Sequence, residues 1–291
     1  MQTTITKTFA ITGSNGYIGQ HLISSLKSNN YETISIQRHQ PADNKSLWPD
    51  IPGGSHVVHL AGLTDVVQSW DDPAGYYEAN ALATIQLLEK CRKAECSLTY
   101  LSSYSYGQPQ YLPVDESHPL ASVNPYGLSK VAADEIVRFY ATNYDLDANI
   151  LRLFNTYGPY QQPFLLIPTI VNQLLDLETT EIVVKDLTPK RDYLHISDVV
   201  NAIIKVAGKG KGEAFNLGAG QSYSVEEIIV NLIKASERNV SYRSENASRK
   251  NEIPDVLASI DKLKSATDWE PEIDLYTGLE SVIRSSSSPT N

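Results

Sequence analysis

Residues 8–19 read T-F-A-I-T-G-S-N-G-Y-I-G, an apolar strand candidate that runs into a glycine-rich turn and then a helical pattern. The glycines Gly13, Gly16 and Gly19 follow the spacing G-x-x-G-x-x-G. In this context the first glycine permits a tight turn, the second lets the backbone approach a pyrophosphate, and the third lets the helix pack close to the sheet. The helix N-terminus adds free N–H groups and a dipole that favour an anion. The stretch therefore predicts a dinucleotide-binding turn.

The residues after the second predicted strand, Glu32–Ile36, bear on the choice of cofactor. A ribose contact is expected there, and a carboxylate would bind the 2′-hydroxyl of NAD and repel the 2′-phosphate of NADP. Gln37 and Arg38 occupy the place instead, and a guanidinium can pair with a phosphate through two parallel hydrogen bonds. We therefore expect NADP to be favoured over NAD, with Arg38 as the contact. A solvated loop charge is the alternative for Arg38.

Strand and helix candidates alternate through the first half of the chain, with strands at Ser55–Ala61, Ser97–Ser102 and Ala148–Phe154, and helices at Asn80–Ala94 and Tyr126–Thr142. This spacing predicts an α/β fold, a Rossmann-like doubly wound parallel sheet. After Phe154 the alternation breaks down, which indicates a smaller C-terminal α/β substrate-binding cap. We expect the Rossmann domain at 1–154 with a returning segment near 185–207, the cap at 155–184 and 208–284, and a disordered tail at 285–291.

Composition excludes several classes of protein. The chain of 291 residues carries a formal net charge of −10, so a nucleic-acid partner would meet general repulsion. We see neither a signal peptide nor an apolar run long enough to span a membrane, and we expect a cytoplasmic protein. The two cysteines, Cys91 and Cys96, have no histidine cluster nearby. They are interpreted as free thiols rather than as a metal site or redox pair.

A tyrosine and a lysine four residues apart provide the main chemical signal. Tyr126 and Lys130 stand in N-P-Y-G-L-S-K and would share one face of a helix. An ammonium beside a phenol favours the phenolate and lowers a pKa that starts near ~10. We therefore expect Tyr126 to act as a proton donor and acceptor near neutral pH. The stretch Y-L-S-S-Y-S-Y-G at 100–107 offers a hydroxyl partner.

With these motifs in order, the chain resembles the extended short-chain dehydrogenase/reductase family, in particular its nucleotide-sugar epimerases, dehydratases and reductases. The resemblance covers nearly the whole chain. It rests on T-G-S-N-G-Y-I-G at 12–19, H-L-A-G at 59–62, L-S-S-Y-S-Y-G at 101–107, N-P-Y-G-L-S-K at 124–130, L-R-L-F-N-T-Y-G-P at 151–159 and R-D-Y-L-H-I-S-D-V at 191–199. Each motif is permissive alone, and their order makes the set specific.

The resemblance implies a role for each matching residue. Ser102 would bond the sugar oxygen that reacts, Tyr126 would be its general acid/base, and Lys130 would hold the nicotinamide ribose. The implied cofactor pocket comprises Gly13, Gly16, Tyr17, Ile18, Gly19, Arg38, Leu60, Ala61, Gly62, Asn80, Tyr126 and Lys130. The implied substrate contacts are Ser102, Ser103, Asn155, Arg191 and Arg249, on a nucleotide-diphospho-sugar. The family also suggests a homodimer through the helices at 80–94 and 126–142.

The reaction itself stays open between two enzyme classes. Dehydratases of the family carry an acidic pair after the catalytic hydroxyl, where this chain has Ser103 and Tyr104, so dehydration is not expected. A 4-ketoreductase would use NADPH to reduce a 4-keto-6-deoxyhexose nucleotide. A 4-epimerase would keep NAD bound, oxidise C4 and return the hydride to the opposite face. We place the reductase slightly ahead, and a catalytically silent dinucleotide-binding sensor is a third, less favoured hypothesis.

Overall fold

The computed structural model describes residues 7–38, 48–247 and 252–287. The strands are β1 (Thr8–Thr12), β2 (Glu32–Ile36), β3 (His56–His59), β4 (Ser97–Ser103), β5 (Ala148–Leu153), β6 (Asn155–Tyr157), β7 (Glu181–Val184), β8 (Lys190–His195), β9 (Glu213–Leu217), β10 (Ser222–Ser224), β11 (Ser241–Ser244) and β12 (Asp255–Val256). The helices are α1 (Tyr17–Ser28), α2 (Pro73–Tyr77), α3 (Ala83–Lys93), α4 (Pro125–Asn143), α5 (Leu166–Leu175), α6 (Ile196–Val206), α7 (Val225–Ser236), α8 (Asp261–Thr267) and α9 (Leu275–Ser287).

A six-stranded parallel sheet forms the larger part of the molecule, in the order β2-β1-β3-β4-β5-β9. Its strands are short and apolar on both sides, as parallel strands covered by helices are. Successive residues of β1 point to opposite faces: Phe9 and Ile11 pack with Leu22 of α1 and Val199 of α6, while Ala10 packs on the side of α3 and α4. The predicted Rossmann-like doubly wound sheet is confirmed.

The sixth strand, β9, corrects our prediction for the cap. We assigned 208–284 to the cap, but Glu213–Leu217 pairs in parallel with β5. The sequence pattern could not assign this strand to the central sheet, because β9 lies some sixty residues from its partner β5 in the chain. The two strands meet only in the folded protein. In the returning segment near 185–207, α6 packs on the sheet as expected, whereas β8 does not join it.

The cap, which we define as β6, β7, β8, β10, β11, β12, α5, α7 and α9, has its own core. Strand β8 is flanked by β10 and β12 and also pairs with β6, and β7 pairs with β11. Helices α5, α7 and α9 bury Ile170, Ile228 and Leu279 against one another. Helix α9 continues to Ser287, so residues 285–287 of the predicted tail are helical. None of the helices in the described ranges combines the length and apolarity that crossing a membrane requires.

Candidate active site

The glycine turn between β1 and α1 has the close packing that its sequence predicts. Gly13 has φ +70°, and a Cβ on it would lie 2.7 Å from the backbone nitrogen of Ala61. A Cβ on Gly19 would lie 2.2 Å from the carbonyl oxygen of Gly13, so only glycine allows α1 to start so close to the turn. Gly16 is the N-cap and offers no capping side chain. The first N–H groups of α1, from Tyr17 and Ile18 onward, therefore remain available to a pyrophosphate.

The segment after β3 forms the second wall of this pocket. The backbone nitrogens of Leu60 and Ala61 donate to the Thr12 carbonyl and hydroxyl at 3.2 Å each. A Cβ on Gly62 would lie 2.6 Å from Oδ1 of Asn80. Small residues are therefore required where this segment approaches the turn, and the predicted residues Leu60, Ala61 and Gly62 are brought together with Gly13.

Asn80, a predicted cofactor residue, clamps this wall to α4. It lies in the π-helical turn Glu78–Leu82 and is buried. Its Oδ1 accepts from the Leu63 nitrogen at 2.8 Å, and its Nδ2 donates to the Leu63 carbonyl at 3.0 Å and to Ser129 Oγ at 2.9 Å. Because both amide hydrogens of Asn80 are engaged with Leu63 and Ser129, Asn80 shapes the pocket by holding these two neighbours in place.

The residues after β2 stand at the open side of the turn. Gln37 donates from Nε2 to Ser14 Oγ at 2.9 Å, which ties the end of β2 to the glycine turn. Arg38 follows and is exposed. Burial and, to a smaller extent, the positive charges of Lys130 and Arg38 together lower the pKa of His59 to about 3. Both cations therefore act on the region between β1 and β3.

Helix α4 begins next to this pocket and carries the Tyr126–Lys130 pair. Asn124 caps it, because its Oδ1 accepts from the Gly127 nitrogen at 2.8 Å, and Pro125 occupies the first turn. Lys130 is buried, donates to the Leu101 carbonyl at 2.9 Å and lies 4.2 Å from the centre of the Tyr100 ring. Burial lowers the pKa of Lys130 to about 8, and the Asp134 carboxylate opposes this effect.

The expected lowering of the pKa of Tyr126 by Lys130 is not found. Burial raises the pKa of the Tyr126 phenol, and a hydrogen bond with Ser103 offsets part of that rise. Two neighbouring phenols, Tyr104 and Tyr76, and the Asp134 carboxylate raise the pKa of Tyr126 further. The physical reason is the direction of the Lys130 ammonium, which donates to the β4 backbone instead.

Ser103, rather than the predicted Ser102, is the hydroxyl next to Tyr126. In β4, Tyr100 packs on the α3 and α4 face, and Ser102, two residues on, shares that face by strand alternation. The Ser102 hydroxyl is buried and faces the Tyr100 phenol and the Asp134 carboxylate. It lies within their electrostatic reach but makes no hydrogen bond of ordinary geometry within the described structure.

A cavity of about 790 Å³ lies between the sheet's carboxyl edge and the cap. It contains the predicted substrate residues Asn155 and Arg191, together with Thr64 from the β3 side and Phe164 from the cap. Pockets of this size accommodate extended small molecules. Arg191 is a fixed cation in it: Nη2 donates to the Glu252 carboxylate and Nη1 to the Ile253 carbonyl at 2.8 Å. Arg249 lies outside the described residues.

Tyr104, which our sequence reasoning missed as a site residue, links this cavity to the reacting group. Its ring stacks on Phe154, with centroids 4.8 Å apart and planes 16° apart. Burial raises the pKa of its phenol and the nearby Arg191 guanidinium opposes that rise, and the Tyr104 phenol in turn raises the pKa of Tyr126. Neither Tyr126 nor Tyr104 lines the cavity itself; Tyr104 is connected to it through Phe154 and Arg191, which do. Its position immediately after β4 was the available signal, because side chains at the carboxyl ends of strands face the cleft.

Three further residues near the site have structural roles. Tyr157 and His195 make structural contacts: the Tyr157 hydroxyl donates to the Leu275 carbonyl, and His195 accepts from the Ser197 nitrogen at the start of α6. Asp192, next to Arg191 in the chain, has different partners. Its buried carboxylate accepts from the backbone nitrogens of Ala219, Gly220 and Ala258, so it holds the turn after β9 against the cap.

Comparisons with known proteins agree with this geometry. The family model described as "NAD dependent epimerase/dehydratase family" matches residues 9–218. A putative UDP-glucose 4-epimerase of Methanocaldococcus jannaschii is 31% identical, over 94% of this chain and 96% of that protein. A GDP-6-deoxy-D-mannose reductase of Pseudomonas aeruginosa is 28% identical, over 96% of this chain and 97% of that protein.

Solved structures show the same pattern. A Pseudomonas aeruginosa protein called RMD, in complex with NADPH, superposes with a TM-score of 0.87 at 28% identity, over 96% of this chain and 98% of that one. A UDP-glucose 4-epimerase of Thermotoga maritima with UDP-glucose superposes with a TM-score of 0.83 at 25% identity, over the same shares of both chains. The chain is therefore similar over almost its whole length both to a protein that binds NADPH and to one that binds UDP-glucose.

Proposed function

Because the chain belongs to the NAD-dependent epimerase/dehydratase family of nucleotide-sugar enzymes, we propose that it is a 4-ketoreductase, which uses NADPH to reduce a 4-keto-6-deoxyhexose nucleotide. The observation that carries this proposal is the residue pair after β2. Gln37 is bonded to the glycine turn, and Arg38 stands beside it without a carboxylate in either position. A dissociable NADPH suits a reductase, which consumes one cofactor in each turnover.

The cofactor pocket fits a dinucleotide on two observations. A Cβ on Gly13 would collide with the backbone of residues 60–61, and one on Gly19 with the backbone of the turn itself, so glycine keeps the turn tight and α1 close to it, as a pyrophosphate-binding turn requires. The N-terminus of α1 faces it with unpaired N–H groups, which favour a pyrophosphate. The residues proposed to hold the dinucleotide are those of the turn, the segment 60–62, Arg38 and Lys130.

The reaction follows from the hydroxyls at the end of β4 and the start of α4. Ser103 and Tyr126 would both bond the sugar's keto oxygen. When bound, NADPH supplies the hydride that adds to the carbonyl carbon. Tyr126 donates its proton to the oxygen as the alcohol forms, and solvent reprotonates the phenolate. The raised pKa of Tyr126 keeps it protonated at neutral pH, as a proton donor must be.

The substrate's diphosphate would bind to Arg191, with Asn155 nearby and Arg249 as a further predicted contact. Arg191 is held by Glu252 and two carbonyls, so its guanidinium is oriented before substrate arrives. Dehydration is not proposed, because Ser103 and Tyr104 occupy the positions after the predicted catalytic hydroxyl and neither is a carboxylate. The sugar would then lie against Tyr104, between the diphosphate and Tyr126.

A nucleotide-sugar 4-epimerase is the second candidate. It is favoured by the 31% identity to a putative UDP-glucose 4-epimerase over 94% of the chain. The same Ser103, Tyr126 and Lys130 would serve it, with Tyr126 accepting the proton before returning it. The two candidates differ in the cofactor, because an epimerase regenerates its bound NAD in every turnover.

The first experiment is to denature freshly purified protein and identify any dinucleotide released. An empty protein that binds NADPH at least tenfold more tightly than NADH, and that oxidises NADPH with a 4-keto-6-deoxyhexose nucleotide, would support the reductase. Captive NAD together with interconversion of C4 epimers would support the epimerase and reject the reductase.

Arg38→Ala tests the cofactor contact. We expect it to weaken NADPH binding about ten- to a hundredfold, the size of a lost charge-assisted contact, with NADH affinity changed less than about threefold. Arg92→Ala, at an exposed ion pair with Glu89, is the matched control. Equal losses for both cofactors would reject the role of Arg38.

We further propose that two copies associate through α3 and α4, as the family resemblance suggested. Leu128 and Phe139 are 44% and 53% exposed on one face of α4, and Leu82 is 47% exposed beside α3. Such a cluster of exposed apolar side chains favours a protein interface. The molar mass in solution checks this, and Phe139→Glu should shift it to that of the monomer. Cytoplasmic localisation stays a prediction.

A further inference from the structure

A buried polar cluster lies behind Lys130 that the proposed reaction does not use. Asp134 and Arg152 are each 1% exposed. Arg152 Nε donates to Asp134 Oδ2 at 2.9 Å, and Arg152 Nη1 donates to the Tyr106 hydroxyl at 2.9 Å. Tyr106 in turn donates to Asn216 Oδ1 at 2.5 Å. The chain thus retains two buried charges where apolar side chains would pack at lower cost.

The Asp134 carboxylate has neighbours besides Arg152, because the Ser102 hydroxyl and the Lys130 ammonium also act on it. Oδ1 is buried and makes no hydrogen bond of ordinary geometry to any described residue. Asp134 stands four residues after Lys130 in α4, so the two side chains project from the same face of the helix, one turn apart. Pairing with Arg152 alone would not require the carboxylate to stand four residues after Lys130.

The charges in the cluster explain what the carboxylate does there. Lys130 and Arg152 are both buried cations, and the Asp134 carboxylate acts on each of them. Burial lowers the pKa of Lys130, whereas Asp134 raises it. Without the carboxylate, nothing among these causes would offset the effect of burial on the Lys130 ammonium.

The other groups around Lys130 do not stabilise its charge in the same way. From β4, the Leu101 carbonyl accepts its hydrogen bond and the Tyr100 ring lies beneath it. From β3, His59 stays neutral because burial lowers its pKa to about 3. From α4 itself, Tyr126 is a neutral phenol whose pKa burial raises. Asp134 is thus the carboxylate that acts on Lys130 among these described neighbours; burial raises its pKa, and the Arg152 guanidinium opposes that rise.

We propose that Asp134 is a positioning residue, which keeps Lys130 in its ammonium form at the pH where the enzyme works. The proposal rests on the proposed function only in taking Lys130 as an active-site residue. It assigns Asp134 no contact with substrate or cofactor. Its effect reaches the reaction through the charge of Lys130, which would bind the nicotinamide ribose.

The test measures the titration of Lys130 directly, by NMR of protein with labelled lysine side chains, with the signal assigned by its loss in Lys130→Arg. This readout needs neither substrate nor turnover. We expect Lys130 to titrate near pH 8 in the wild type. In Asp134→Asn its acid constant should increase at least about tenfold, which moves the midpoint down by a pH unit or more. An unchanged midpoint in folded Asp134→Asn would overturn the proposal.

Asp134→Asn leaves Arg152 buried without a carboxylate and can unfold the chain for that reason alone. The double variant Asp134→Asn/Arg152→Gln removes both charges. Its Lys130 titration midpoint should also lie below that of the wild type. The wild type also tests the idea without any variant, because a Lys130 midpoint below about pH 7 would mean that Asp134 does not keep the ammonium charged.

Activity separates this role from simple structural support. If Asp134 acts through the charge of Lys130, Asp134→Asn should approach wild-type turnover near pH 6 and fall behind as the pH rises towards 8. An equal loss at every pH would indicate structural support alone and reject the proposal. If no nucleotide sugar is turned over, the proposed function fails, while the NMR titration still decides the role of Asp134.

Discussion

The cofactor pocket takes its turn and its anion site from the single stretch Thr8–Gly19, whereas the substrate cavity takes its walls from residues that lie far apart in the chain. Thr64, Asn155, Arg191 and Glu252 meet only because the cap folds over the sheet. The first region needs local backbone geometry, which glycine spacing encodes. The second needs long-range packing, so we expect a change in the cap to alter the cavity without disturbing the turn.

Tyr126→Phe should have the largest effect, because Tyr126 stands where the two regions meet. We expect turnover to fall about a thousandfold, since the proton donor is lost, while the affinities for dinucleotide and nucleoside diphosphate change less than about twofold. Steady-state kinetics and calorimetry measure the two quantities. Tyr144→Phe, on the exposed end of α4, should behave as wild type. Turnover retained in Tyr126→Phe would contradict the role of this residue.

Ser103→Ala and Ser102→Ala test which hydroxyl of β4 serves the reaction. We expect Ser103→Ala to lower turnover about a hundredfold, the size of a lost hydrogen bond to the developing charge. Ser102→Ala should act mainly on stability, because that hydroxyl faces Asp134 and Tyr100. For each variant, kcat and the midpoint of thermal unfolding are measured and compared with those of the wild type. The reverse ranking of kcat would restore the prediction made from the sequence.

Arg191→Gln should separate the two regions. Loss of the guanidinium in the cavity is expected to weaken nucleoside diphosphate binding about ten- to a hundredfold and to leave NADPH affinity within about twofold. Arg243→Gln removes an arginine from an exposed ion pair with Glu181 and is the matched control. If calorimetry shows that Arg191→Gln weakens both ligands equally, the cavity is not an independent substrate site.

His59→Gln should have the smallest effect, and on stability alone. His59 bonds the Thr12 and Thr84 hydroxyls, and burial lowers its pKa from 6.5 to about 3. Below pH 6.5 the unfolded chain therefore takes up a proton that the folded chain refuses, so stability is lost as the pH falls. Between pH 8 and 5.5 the wild type should lose about 1.4 kcal/mol more than the variant. Denaturant melts check this, and equal losses would show that His59 titrates when folded.

Our sequence analysis located several elements to the residue, but it misjudged the direction of some side chains. β2 has its predicted bounds, and β4 and β5 differ from theirs by one residue at one end, because apolar and β-branched runs and flanking turns are local signals. Ser102 and Ser103 are adjacent residues of the same type, so the sequence does not distinguish them. Only the packing of the end of β4 against α4 decides which hydroxyl lies next to Tyr126. Asp192 likewise faces the turn after β9, a contact that no local pattern encodes.

The sequence by itself determined the parallel Rossmann-like sheet, the glycine turn and the Tyr126–Lys130 pair, because each depends on spacing within one strand–turn–helix unit or one helical turn. The tertiary structure alone decided that Glu213–Leu217 completes the sheet, that Ser103 faces Tyr126, that Tyr104 reaches Arg191 and that Asp134 acts on two buried cations. These features depend on which distant segments pack together, and the free energy that stabilises this packing comes from contacts throughout the folded chain.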